Sequence, residues 1–198
     1  MGMLRFISTI TAIFWTISSF CQAIVIDRIE PDGERQIMTS ETYVKIGGVP
    51  YAFSLKAYFG DKGTTWALVS TSEIFASEGD LMLIKLKDGT VIQLHVNNVK
   101  QLEGQIHLTT YHYDYYSETY VTPSKDNSRF VSLYPMDREQ IYSLQNQGIK
   151  KIRIAVGQNY IEQNSGLNKL SRWLSGSFKL IQEQSQKPVQ PKDIREGF

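Results

Sequence analysis

The chain has 198 residues, with 21 lysines and arginines against 20 aspartates and glutamates and a single cysteine. A net charge of +1 gives no general field to draw in nucleic acid or an anionic membrane, and one cysteine excludes an internal disulfide. The length and the 41% hydrophobic content suit one ordinary domain with its own core.

The chain opens with a basic residue, Arg5, followed by residues 6–20 (FISTITAIFWTISSF) without an ionisable side chain. Cys21-Gln22-Ala23 then puts small residues at the two positions that a signal peptidase reads. That order predicts a signal peptide over residues 1–23, cleaved after Ala23, and an exported protein: periplasmic, outer-membrane-associated or extracellular. Two alternatives stay open. The uncharged run continues to Ile26, long enough to cross a bilayer if retained, although Ser8, Thr9, Thr11, Thr16, Ser18, Ser19 and Gln22 dilute its apolarity. Cys21 is the other, as a lipidated N-terminus, although Phe20 puts a bulky ring where a lipoprotein peptidase takes a small residue. Either would make the N-terminus the membrane contact. Cleavage removes Arg5 and Cys21, leaving a cysteine-free domain with 20 basic and 20 acidic side chains. No asparagine begins an Asn-x-Ser/Thr sequon.

From residue 24 to residue 132 the dominant hydrophobic period is two, the signature of half-buried strands. In YAFSLKAYF, Tyr51, Phe53, Leu55, Ala57 and Phe59 fall on one face and Ser54, Lys56 and Tyr58 on the other. Gly60-Asp61-Lys62-Gly63 turns the chain into a second strand over residues 64–71, which carries Trp66 and Leu68. The clearest hairpin is DLMLIKLKDGTVIQLHV. Met82, Ile84 and Leu86 enter an Asp88-Gly89 turn, expected as type I′, and Ile92, Leu94 and Val96 leave it. An aromatic strand is expected over residues 106–116, pairing with the neighbours of Tyr120, and a further strand over residues 130–133.

The period becomes helical at Asp137, an N-cap with Gln140 three residues on, a variant of the capping box. Ile141 and Leu144 share a face, and Gly148 stands where a C-cap glycine belongs. A strand over residues 150–156 follows, with Ile152, Ile154 and Val156 inward and Lys151 and Arg153 outward. A last helix over residues 165–183 spaces Leu167, Leu170, Leu174, Phe178 and Ile181 as an apolar stripe. Its polar side carries Lys169, Arg172 and Lys179, which core packing explains more simply than a lipid surface. The expected fold is α+β: an antiparallel β-meander or sandwich-like sheet, then a short helix, a strand and a C-terminal amphipathic helix. One domain is expected over residues 24–184, with a disordered tail over residues 185–198.

The most unusual composition is IHLTTYHYDYYSETY, residues 106–120. On one strand, Tyr111, Tyr113 and Tyr115 line one face, and His112, Asp114 and Tyr116 the other. Tyr111, Tyr113, Tyr115, Tyr116 and Tyr120 form the candidate binding surface, because rows of tyrosines suit carbohydrate or peptide contact. Cross-strand aromatic pairing is the simpler explanation. His112 and Asp114, with His95 as a third ligand, are the residues a metal-dependent hydrolase would use, but two ligands on one face do not define a zinc site. The run GDKGTT lacks the spacing of a phosphate loop, and Glu73, Glu78 and Asp80 are more simply solvated loop charges. No nucleophile elbow, zincin motif or cysteine nucleophile is present, so no catalytic residue, metal or cofactor is assigned.

The LMLIKL strand, its Asp-Gly turn, VIQL and the later MDREQIYSLQNQGIKKIRI resemble small exported β-rich proteins of unknown function typical of Bacteroidetes. The resemblance spans residues 79–154, is structural, and implies no catalytic residue. The expected function is a non-catalytic binding or structural module of the cell envelope, with an envelope protein or a glycan as partner and no nucleic acid. A metal-dependent hydrolase and a membrane-tethered accessory protein are the alternatives.

Overall fold

The computed structural model describes residues 22–61, 63–102, 107–113, 116–122 and 129–189, with side chains for all of these except 107–113 and 116–122. The described residues are mostly antiparallel β-sheet with two helices, a β-rich α+β fold. In order the elements are β1 (Ile24–Ile29), β2 (Arg35–Thr39), β3 (Thr42–Ile46), β4 (Val49–Gly60), β5 (Gly63–Ser72), β6 (Leu81–Leu86), β7 (Val91–His95) and β8 (Asn98–Leu102). Then come β9 (His107–Tyr113), β10 (Tyr116–Thr122), β11 (Arg129–Met136), α1 (Arg138–Asn146), β12 (Ile149–Val156), β13 (Asn159–Gln163) and α2 (Asn168–Ser185).

Seven strands form one sheet in the order β1-β2-β4-β5-β11-β8, with β3 also paired to β4. The length of β4 makes this possible: its first residues pair with β3 and its last with β2. Four strands form a second sheet, β13-β12-β6-β7, and among the described residues β9 and β10 form a two-stranded sheet. The chain passes between the two larger sheets after β7, where the Asn97 amide donates to the Leu133 carbonyl of β11 at 2.9 Å.

Both sheets and α2 share one core. The face of β4 carrying Tyr51, Phe53, Leu55 and Ala57 is buried, as are Met82, Ile84 and Leu86 of β6 and Ile152 and Ile154 of β12. Into this core α2 places Leu170, Trp173, Leu174, Ser177, Phe178 and Ile181. The Phe178 ring lies 5.2 Å from that of Trp66 on β5, and Ser171 Oγ accepts from the Ile149 amide of β12 at 2.8 Å.

Four local expectations are corrected. The Asp88-Gly89 hairpin does not turn through a type I′ pair, because Gly89 has φ +100° and Asp88 is not left-handed. The Gly89 amide donates to Leu86 O and the Leu86 amide to Thr90 O, a three-residue turn ending in a bulge, with Asp88 Oδ1 holding the Thr90 amide. Gly148 is not a left-handed C-cap. The chain leaves α1 through extended Gln147, and the flexible end of the Lys87 side chain lies over Gly148, where a Cβ would come 2.7 Å from Cε. The last helix starts at Asn168, with buried Leu167 at the cap position and no side-chain cap; Ser165 lies before it. The aromatic strand ends at Tyr113, and Tyr116 opens the strand that pairs back onto it.

Candidate functional site

Among the described side chains lies a groove of about 700 Å³. It opens where the β4–β5 hairpin, the end of β11, α1 and the C-terminal half of α2 meet. Its lining comes from Phe59, Thr64, Thr65 and Trp66 of the hairpin, Met136 and Asp137 after β11, Arg138, Ile141, Tyr142 and Gln145 of α1, and Gln182 of α2. That volume falls within the usual range for a small-ligand site.

Local sequence sets each wall. Gly60 and Gly63 close a tight hairpin between β4 and β5, and Gly63 supplies φ +113°. GDKGTT therefore joins two strands and opens no helix, which removes any phosphate-loop reading. Alternation along β5 turns Trp66 inward, where it meets Phe59 edge-on at 6.3 Å and Phe178 at 5.2 Å. Those contacts fix the indole as part of the floor with buried Met136 and Ile141. The capping box of α1 is complete: Asp137 Oδ1 accepts from the Gln140 amide at 2.8 Å, and Gln140 Oε1 accepts from the Asp137 amide at 3.0 Å. Gln140 Nε2 also donates to Gln93 O of β7 at 3.0 Å, fixing the angle of α1 over the second sheet.

The groove is uncharged in sum. Asp137 and Arg138 are its one acid and one base, and Asp137 is committed to the cap. The side chains of Thr64, Thr65, Arg138, Tyr142, Gln145 and Gln182 make no hydrogen bond or ion pair within the described residues. Tyr142 is 69% exposed although it stands beside the buried Ile141. Polar groups without partners above a fixed apolar floor are what a ligand site presents before its ligand arrives.

A second polar cluster lies inside the core. Tyr134 of β11, hydrogen-bonded with Ser70 and Ser132, and Tyr51 of β4, hydrogen-bonded with Ser72, are both buried. Burial pushes both phenols up, against those hydrogen bonds. The Asp80 charge adds to the rise at Tyr134, and both phenols stay neutral inside the core.

The tyrosines singled out from the sequence are placed only by backbone register. Tyr113 stands opposite Tyr116, Tyr111 opposite Glu118 and Tyr120 opposite Thr109, while Tyr115 lies outside the described residues. Asp114 lies outside them too, and the side chain of His112 is not among those described. His95 is an exposed residue of β7, with Nδ1 3.4 Å from the Gly79 carbonyl. Among the described residues no three His, Cys, Asp or Glu come together to hold a metal ion, and no helix is long and apolar enough to cross a membrane. Glu73 and Glu78 are exposed, and Asp80 accepts from the Ser77 amide at 2.8 Å as a loop-ordering group.

Sequence reasoning missed the groove. The available signal was Tyr142, a large aromatic on the side of α1 away from Ile141 and Leu144, together with the hydroxyl pair Thr64-Thr65 preceding Trp66. No protein-family model, curated protein or solved structure matches the chain.

Proposed function

We propose that this chain is an exported, non-catalytic binding module of the cell envelope whose groove between the β4–β5 hairpin and α1 takes an uncharged, hydroxyl-rich ligand, a short neutral glycan. The observation that carries the reading is the groove lining: two threonine hydroxyls, two amides and an exposed phenol over a floor of Phe59, Trp66, Met136 and Ile141. Amides and hydroxyls both donate and accept, which matches sugar hydroxyls, and an exposed aromatic face suits the apolar side of a sugar ring. The place where an anion would be held, the N-terminus of α1, is already closed by Asp137 and Gln140. In this reading the C-terminal amphipathic helix gives its apolar stripe to the core and offers Gln182 to the ligand. The export half of the proposal is supported by Arg5, the uncharged run after it and the small residues near residue 23.

The test is a titration of the exported protein with chitotriose, maltotriose and cellotriose, alongside trigalacturonate and a neutral tetrapeptide, followed by amide chemical shifts. We expect saturable shifts at Thr64, Thr65, Tyr142 and Gln182 with at least one neutral trisaccharide. Tyr142→Ala should weaken that binding roughly tenfold, about 1.4 kcal/mol. Groove shifts with the tetrapeptide alone would keep a binding module and discard the glycan, and shifts with trigalacturonate alone would discard the neutral ligand. No groove shift with any probe would sink the reading.

A further inference from the structure

The contacts of Gln22 and Ala23 bear on where the leader ends. Gln22 Nε2 donates to the Trp173 carbonyl of α2 at 2.6 Å. The Ala23 amide donates to Ser40 Oγ at 3.1 Å, and the Ala23 carbonyl accepts from the Ser40 amide at 2.7 Å. Together these extend the β1–β2 pairing by one residue and tie the start of the chain to the helix at the centre of the core.

Gly176 provides an independent mark of the same contact. Glycine is among the poorest helix formers, so its place inside α2 needs a reason. Its φ is not left-handed, so conformational freedom is not that reason. An added Cβ would meet the Gln22 amide, whose Nε2 would lie at 3.0 Å and Cδ at 3.1 Å. Gly176 is thus the seat on which Gln22 rests.

Resting on the export reading above, we propose that Gln22 and Ala23 belong to the mature, folded domain and that the leader is removed between Cys21 and Gln22. Cleavage after Ala23 would strip three hydrogen bonds and remove the side chain that lies over Gly176. The residues upstream allow the earlier cut: Ser19-Phe20-Cys21 repeats the small-x-small spacing of Cys21-Gln22-Ala23 two residues sooner. Sequence offers both bonds, and the contacts favour the first. The step is hydrolysis by the export peptidase, with water giving the Cys21 carboxyl and the Gln22 amine.

Intact-mass measurement and N-terminal sequencing of the exported protein test the site. A chain beginning at Gln22, open or cyclised to pyroglutamate, is expected. A chain beginning at Ile24 overturns the inference and leaves export standing, as does one beginning at lipidated Cys21. An unprocessed chain overturns both. Thermal melting of the exported protein gives a second measure. Gly176→Ala should lower Tm when Gln22 is present, by dislodging its amide, and raise Tm in the Gln22→Ala background, where only helix propensity remains. A rise in Tm in both backgrounds would show that Gln22 is not seated and overturn the inference.

Discussion

Two polar regions near the C-terminal end of α2 treat their groups in opposite ways. At its C-terminus, Arg35 of β2 uses every N–H it has. Nε and one Nη2 proton go to Asp27 at 2.8 Å each, the other Nη2 proton to Gln184 O at 3.0 Å, and Nη1 to Ser185 O at 3.0 Å and Lys187 O at 2.7 Å. Gln184 Nε2 closes the cluster on Asp27 Oδ2 at 2.7 Å. The last carbonyls of a helix lack partners within the helix and carry its negative end, so a buried guanidinium is well suited to this position. One residue before Glu183 on the same helix, Gln182 points into the groove with no partner among the described residues. A saturated cluster fixes the fold, and an open one is left for something outside the chain.

That contrast can be broken by mutation, and the largest effect should fall on the saturated cluster. Arg35→Ala takes the guanidinium from Asp27, which keeps Gln184 Nε2, and from the Gln184, Ser185 and Lys187 carbonyls, so it should destabilise by about 3–5 kcal/mol, or roughly 10 °C in Tm. Arg35→Lys should restore little of this, because an ammonium cannot reproduce the five-donor fork. If Arg35→Ala melts like the parent chain, the cluster is not structural.

Next in size is a pH effect at the same place. The Arg35 hydrogen bond, with help from Gln184 and the Arg35 charge, holds the Asp27 carboxyl below its ordinary value of 3.8, against the opposing effect of burial. A depressed carboxylate stabilises the fold above its unfolded pKa, and that contribution is lost as pH falls through the folded pKa. Stability should therefore fall from about pH 5 downward, more steeply in the parent than in Asp27→Asn. Denaturant melts of both proteins between neutral and acid pH compare the slopes, and equal slopes would remove Asp27 from the account.

Smaller still is the effect at Ser177, completely buried on α2 with an Oγ that has no partner among the described residues. Ser177→Ala removes an unsatisfied hydroxyl and adds helix propensity, so it should stabilise by about 1 kcal/mol. A lower Tm would show that the hydroxyl is satisfied. In the groove, Tyr142→Ala and Gln182→Ala should shift stability by less than about 0.5 kcal/mol. Their effect should appear in ligand titrations alone, and a large loss of Tm would recast these side chains as structural.

Local features of the fold were legible in the chain. Alternation in YAFSLKAYF placed β4, Asp-Gly between apolar runs placed the β6–β7 hairpin, and Asp137 with Gln140 marked the start of α1. Each depends on residues within one or two turns of one another. Where a longer reach entered, local rules chose the wrong reason. Gly148 looked like a helix cap and is a site of close approach to Lys87. The tyrosine-rich segment reads as one strand to Tyr116, yet Tyr116 belongs to a second strand that pairs antiparallel with the one ending at Tyr113. The groove was illegible, since its lining is drawn from three stretches ending at Trp66, Gln145 and Gln182.

By itself, the sequence determined the balance of charge, the absence of an internal disulfide and the β-rich α+β class. These follow from composition and from periods of two and of three to four residues. Only the tertiary structure decided which polar residues are saturated and which stay open. Nothing local distinguishes Arg35 from Arg138, or Gln22 from Gln182. A side chain's partner depends on which distant backbone the fold carries past it: the end of α2 for Arg35, the Trp173 carbonyl for Gln22, and open space for the residues of the groove.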